Sequence, residues 1–342
     1  MLFNRLDRTD RRILDLIQRN FPLVSRPFQA IAERVETSES DVIERLGRLK
    51  RGGLMREICA VFDPGRLGYR STLAAMAVEP ARLEDVAAIV NAHSGVSHNY
   101  ERTHRFNLWF TLTVAGDRPI EGEVERLARE GQASDFLVLP TIRRFKIRVD
   151  FDLGTRVSDE QPAVSAQPSA TRNPKSEIQN LQSRMLGACE KDVVRVLQHD
   201  LPLEQRPFER LAQSISMSEG EILAIAERFL ATGVMRRIGA IVRHQRFGYA
   251  ANAMVCWNVP TERIEQAGRR AAKERAVSHC YERPSVPPRW PYNLMTMIHG
   301  RSDDAVHEVV KRLAADLQPV EYAILFSRRE FKKRRAYYFE ER

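Results

Sequence analysis

Ser97–Trp109 reads SHNYERTHRFNLW. In an extended chain, side chains alternate between two faces. His98, Tyr100, Arg102 and His104 then share one face, and Asn99, Glu101 and Thr103 take the other. Two imidazoles, a phenol and a guanidinium in one row are too polar for a core and too rich in titratable groups for an idle surface. A second row begins at Ser278, in SHCYERPSVPPRWPYNLM, where His279, Tyr281 and Arg283 repeat the first. The chain reads as two copies of one module built around this strand.

Upstream of the first row, Leu6–Asn20 has the apolar spacing of a helix, with Leu6, Ile13, Leu14, Leu16 and Ile17 inward and Asp10 and Arg11 toward water. Phe21-Pro22 ends it, and Pro27 opens a short second helix. Ser38 is the expected N-cap of a third, which Gly52-Gly53 stops. Three helices in this order form a helix-turn-helix unit. Leu54–Phe62 reads as a strand. From Tyr69 the order is strand, helix (Pro80–His93), strand, hairpin partner (Phe106–Val114), helix (Arg118–Glu130) and a last extended stretch, Phe136–Asp150. That is the ferredoxin-like split βαβ order.

The same order returns after a Ser-, Pro- and Gln-rich segment with no apolar period, a linker. Arg26-Pro27-Phe28 matches Arg206-Pro207-Phe208, Gly68-Tyr69 matches Gly248-Tyr249, and His98 matches His279. Asn107-Leu108 matches Asn293-Leu294 after a five-residue insertion holding Pro284, Pro287, Pro288 and Pro291, expected to be a stiff loop that does not pair. A register this long marks an internal duplication. The expected domains are 1–53 and 184–233 (helix-turn-helix), 54–154 and 234–342 (ferredoxin-like), and 155–183 (linker).

At 342 residues, 43% hydrophobic and 29% charged, the chain has the composition of globular domains. No apolar run approaches membrane-spanning length, and MLFNRLDRTDRRIL lacks a signal-peptide core, so a cytoplasmic protein is expected. Cys59, Cys189, Cys256 and Cys280 form no CxxC pair, and no metal site is expected. A net charge of +9 points to an acidic partner: nucleic acid, anionic lipid, or a small polyanion. The third helices speak against DNA. Their N-terminal parts carry Glu39, Asp41 and Glu44, then Glu219, Glu221 and Glu227, which phosphates repel. Arg56, Arg236, Arg102 and Arg283 lie instead on strands, which suits a pocket for carboxylates. For the runs around Arg143–Arg148 and Arg328–Arg335 a solvated charged face is an equal alternative.

GLMREICAVFDPGRLGY (Gly53–Tyr69) and SHNYERTHRFNLWFTL (Ser97–Leu112), supported by SHCYER and YNLM in the second copy, carry a resemblance. The module order resembles the Lrp/AsnC regulators, and these segments resemble their enzyme branch, the sirohaem decarboxylases. The resemblance implies an α+β chain: a tandem duplication of a helix-turn-helix unit plus a ferredoxin-like (βαββαβ) Lrp/AsnC-type domain. It implies the fused form of a paired-subunit enzyme, an intramolecular pseudo-dimer with no functional DNA binding; a homodimer of such chains stays open. The implied reaction is non-oxidative loss of two acetate carboxyls from sirohaem, giving 12,18-didecarboxysirohaem on routes to haem or haem d1. The macrocycle serves as electron sink, so no further cofactor is required.

On that reading histidine supplies protons near neutral pH. His98 and His104 are the expected acid pair, Tyr100 orients an imidazole or the substrate, and His279 serves one of the two decarboxylations. Arg56, Arg102 and Arg144 are expected to hold carboxylates, with Arg236, Tyr281 and Arg283 doing so in the second copy. Asn107 and Trp109 are candidates to line the ring pocket, with plain packing the favoured reading for Trp109. In the second copy Trp290 stands at the place of His104 and Met295 at that of Trp109, so the halves are expected to differ, the first carrying most of the chemistry. The rival readings are a DNA-binding regulator with a small effector and a non-catalytic tetrapyrrole-binding protein.

Overall fold

Helix ends follow from single residues. In this computed structural model, which describes residues 6–19, 21–147, 186–242 and 251–340, α1 spans Arg8–Arg19, α2 Pro27–Val35 and α3 Glu39–Arg51. Pro27 sits at the first turn of α2, and the Ser38 hydroxyl accepts from the Asp41 N–H at 3.1 Å to start α3. The second copy repeats the set as α6 (Ala188–Leu197), α7 (Pro207–Ser214) and α8 (Glu219–Thr232), where Ser218 and Glu221 cap each other. The expected linker lies outside the described residues, as does Gly248-Tyr249.

Asp10 does not face water as expected. It is 2% exposed and accepts from Arg45 and Arg48, each at 2.9 Å, because a buried carboxylate needs a cation. Arg45 and Arg48 of α3 are thus engaged by this carboxylate. Arg26 pairs with Glu39 and Arg206 with Glu219 at 2.6 Å, so the acidic starts of both third helices are also engaged.

The chain divides into two compact units. One holds the described residues up to Gly68, 186–242 and Tyr338–Glu340; the other holds 69–147 and 251–337. The boundaries therefore fall later than the expected 53 and 233. The reason is that β1 (Met55–Phe62) and β7 (Met235–Val242) pair with each other, antiparallel, Cys59 opposite Gly239, and stay with the helices. Gly239 must be glycine, since a Cβ there would strike the Ile17 carbonyl of α1.

The second unit is a nine-stranded arrangement in the order β5-β2-β4-β3-β11-β8-β10-β9-β6. The first copy gives β2 (Tyr69–Ala77), α4 (Leu83–Ala92), β3 (Val96–Arg102), β4 (Leu108–Ala115), α5 (Ile120–Glu130), β5 (Asp135–Pro140) and β6 (Arg143–Ile147). The second gives β8 (Ala251–Asn258), α9 (Ile264–Lys273), β9 (Val277–Glu282), β10 (Leu294–Gly300), α10 (Asp303–Leu317) and β11 (Glu321–Lys333). The last extended stretch of each copy is shared between copies, which alternation alone does not announce. Glu321–Phe326 of β11 pairs with β8, and Ser327–Lys333 then pairs with β3. In the first copy Phe136–Asp150 breaks at Thr141-Ile142, β5 pairing with β2 and β6 crossing to β9.

Helices α4 and α5 cover one sheet face of the first copy, packing on Phe110, Leu112 and Val114; α9 and α10 do the same for the second. The opposite faces form a shared layer, where Ala75, Phe106, Trp109 and Leu139 meet Met254, Cys256, Met295 and Leu325. Trp290 of the insertion fills its centre. Its ring lies 5.2 Å from that of Trp109 and 6.2 Å from that of Phe106. The insertion does pair, against expectation: Val286 and Trp290 exchange backbone hydrogen bonds at 2.6 and 2.8 Å, which aims the indole inward. Cys59, Cys256 and Cys280 are buried thiols, and Cys189 is exposed. Among the described residues no helix is long and apolar enough to cross a membrane.

Truncating a fully buried aromatic removes both its transfer energy and its packing. Trp290→Ala is expected to lower stability by about 3–5 kcal/mol in urea unfolding. Trp290→Phe should recover more than half of that loss.

Candidate active site

Both rows sit on the shared inner layer. His98 lies opposite Thr111 and Tyr100 opposite Trp109 on β4; His279 lies opposite Met297 and Tyr281 opposite Met295 on β10. Each histidine follows a β-bulge whose extra residue is a serine, Ser97 or Ser278. The bulge brings the serine to the imidazole: Ser97 Oγ is 3.0 Å from His98 Nδ1, and Ser278 Oγ 2.8 Å from His279 Nδ1. Stacking repeats too. The His–Tyr centroid distance is 6.2 Å in both rows, and the guanidinium carbon lies 5.4 Å (Arg102) or 5.0 Å (Arg283) from the tyrosine ring.

Arg102 and Arg283 are the deepest members. Arg102, 6% exposed, donates to the Leu325 carbonyl at 3.2 Å and the Ser327 hydroxyl at 2.9 Å; Arg283 donates to the Leu139 carbonyl, the corresponding residue of the other copy. Burial pulls both guanidinium pKa values down to about 10, which leaves them cationic at neutral pH. In each, the buried Nε has no hydrogen-bond partner among the described residues. Cys256 lies within the field of both, and its own burial pushes the thiol well above the ordinary range.

The strand exchange adds a neighbour to each row, and the two differ. Beside Tyr100 stands Glu330, and beside His98 stands Lys333. Beside Tyr281 stands Arg144, and beside His279 stands Ile147. Arg144, expected with the first row, is thus delivered to the second. Burial and the Glu330 carboxylate raise the Tyr100 phenol well above its ordinary pKa of 10.0 and keep it protonated.

Several expected residues are engaged elsewhere. β3 ends at Arg102, so His104 is in the β3–β4 turn, not in the row. Its Nδ1 accepts from the Phe106 N–H at 3.0 Å, and its ring meets Trp290 edge-on at 5.4 Å. The strand ends two residues before it, so it does not continue the face that carries His98, Tyr100 and Arg102. Asn107 gives both ends of its amide to the Val78 backbone, at 2.8 and 3.0 Å, and Asn293 does the same to Val259, which closes the hairpins. Trp109 is 1% exposed and bonds the Phe106 carbonyl at 2.6 Å, a core residue. Arg56 on β1 lies 3.5 Å from Glu57, and Arg236 on β7 is held by Asp63 at 2.9 Å; both belong to the helical unit. The expected reading passed over the bulge serines, although both copies print Ser-His, and over His299, which replaces Thr113 of the first copy.

Similarity to known proteins bears on this geometry. The AsnC-like ligand binding domain matches residues 66–146 and 246–332. The sirohaem decarboxylase NirDL-like helix-turn-helix domain matches residues 10–56 and 190–236. A sirohaem decarboxylase of Hydrogenobacter thermophilus is 39% identical over 96% of this chain and 95% of its own. A sirohaem decarboxylase beta subunit of Oleidesulfovibrio alaskensis is 41% identical, covering 44% of this chain and 95% of its own. The crystal structure of the sirohaem decarboxylase NirDL in complex with an iron-uroporphyrin III analogue matches with a TM-score of 0.74 and 35% identity, over 97% of this chain and 95% of that one. With two copies of each domain in one polypeptide and full-length likeness to the fused enzymes, the chain belongs to the sirohaem decarboxylase family.

Proposed function

We infer that this chain removes two acetate carboxyls from sirohaem as CO2, with the paired His-Tyr-Arg rows as its working surface. The observation that carries the reading is the pair of buried cationic guanidiniums, each with an unpaired Nε, at the base of rows that hold an imidazole and a phenol. A buried Arg N–H without a partner suits a carboxylate oxygen, and two of them suit a substrate with several.

Each decarboxylation converts a ring CH2–COO⁻ and one proton into CH3 and CO2. The carboxyl electron pair passes into the macrocycle, and the new methyl takes the proton. Arg102 and Arg283 hold carboxylates that do not react, which fixes the ring. Arg144, exposed beside Tyr281, adds a further contact from the rim. His98 and His279 donate the protons. Tyr100, held protonated, is a hydrogen-bond donor and not a base. The acid role expected of His104 does not fit its surroundings. Burial and the Arg105 charge lower its pKa below the ordinary 6.5, and an Nδ1 that accepts from a backbone N–H keeps it neutral.

Anaerobic incubation with sirohaem is expected to give a product lighter by two CO2 units. Binding without a change of mass would favour a carrier, and no binding a regulator. His98→Ala and His279→Ala are each expected to slow product formation by about 10²–10⁴, the usual weight of a general acid. His104→Gln should change it less than tenfold.

For His104 the folded pKa lies below the unfolded one, so the unfolded chain binds more protons between them. The neutral ring's contribution to stability is complete above about 6.5 and is lost as pH falls below it. The urea midpoint of wild type should therefore fall on acidification through this range, and His104→Gln should flatten that fall.

A further inference from the structure

The second copy lacks a counterpart of His104, yet it contains another imidazole. His299 on β10 lies two residues beyond Met297, so it faces the same inner layer. The Ser278 hydroxyl is 2.8 Å from His279 Nδ1 and 2.8 Å from His299 Nε2, with a longer contact of 3.4 Å to the Met297 carbonyl. Ser278 is 9% exposed. In the first copy the Ser97–His98 pair is not extended this way: Thr113 occupies the matching position and donates to Ser71 at 3.1 Å.

We propose that His299, acting through Ser278, is the positioning and proton-reloading residue for His279. This rests on the reading that His279 protonates sirohaem and goes beyond it by naming where the proton comes from. A serine hydroxyl donates one hydrogen bond while accepting others. Protonated His299 donates Nε2–H to Ser278 Oγ, and Ser278 donates to His279 Nδ1, which fixes the His279 tautomer that presents Nε2–H to the substrate. When His279 gives that proton to the new methyl carbon, the serine proton moves to Nδ1 and the His299 proton moves to Oγ, which leaves His279 neutral as its Nδ1–H tautomer, and exchange with solvent then returns the Nε2–H form. The imidazolium ends neutral, and one proton has crossed for each CO2 released. Each protonation by His279 would otherwise leave an imidazolate, and His299 prevents that from within the sheet.

The test compares wild type, His279→Ala, His299→Gln and His299→Ala in anaerobic single turnover with sirohaem, with binding followed by the absorbance spectrum. Gln keeps an N–H in reach of Ser278 but cannot pass a proton on. His299→Gln is expected to bind sirohaem as wild type does, to slow product formation by about ten- to a hundredfold, and to reduce the number of protons in flight in a solvent deuterium inventory. Added imidazole should restore part of the rate to His299→Ala. A His299→Gln variant with wild-type rate and isotope effect overturns the proposal while the parent reading stands. So does loss of binding in step with rate and without imidazole rescue, which marks a packing role. A wild type that leaves the mass of sirohaem unchanged sinks the parent reading itself, and a fully active His279→Ala removes His279 from it.

Discussion

The exchange of the last strand between copies is the constraint on which the sheet unit depends. Left alone, β3 and β9 would each present a bare edge of N–H and C=O groups. The second half of β11 covers β3, and β6 covers β9, so both copies are finished by the other's backbone. Just ahead of each crossing, the Leu325 carbonyl accepts from Arg102 and the Leu139 carbonyl from Arg283, so each guanidinium is met by the opposite copy. Burying an arginine is costly unless its hydrogen-bonding groups are met, and here most of the repayment is main-chain oxygen from the opposite copy. Fold and charge placement are therefore one arrangement.

That arrangement has a catalytic merit. A guanidinium held by backbone carbonyls in a dry layer does not have to reorganise when a carboxylate arrives. The tyrosine below it and the imidazole beyond continue the same strand face at the usual spacing, so the row works as a ruler. The bulge ahead of each histidine is the single irregularity, and it turns a serine that would otherwise face the helices toward the imidazole.

Much of this was legible in the residues. The periods of α1–α3, the Ser38 cap, the duplication and the alternating row all follow from local spacing, and local spacing is what one chain displays. Features set by distant partners were not. Asp10 looks solvated until α3 brings Arg45 and Arg48 to it. Asn107 looks like a ligand-binding amide until the Val78 backbone claims it. His104 fits the alternation on paper, but the strand stops two residues short of it. Arg144 belongs to the first copy in sequence and to the second row in space, because the strand crossing is written in neither copy alone. His299 stands outside the alternating row and has nothing in its local spacing to mark it, yet a single serine joins it to the second row.

Glu330 and Arg144 occupy matching places in the two copies, yet each serves the row of the other. Ancestral identical subunits would have given both rows the same neighbour, whichever it was. Tethering two diverged halves lets one row's tyrosine gain a cation while its twin gains an anion, and neither half can inherit its own. A lone half pairing with itself would build the wrong combination: Arg144 against Tyr100, or Glu330 against Tyr281. Joining the halves in one polypeptide thus fixes which charge stands beside each tyrosine.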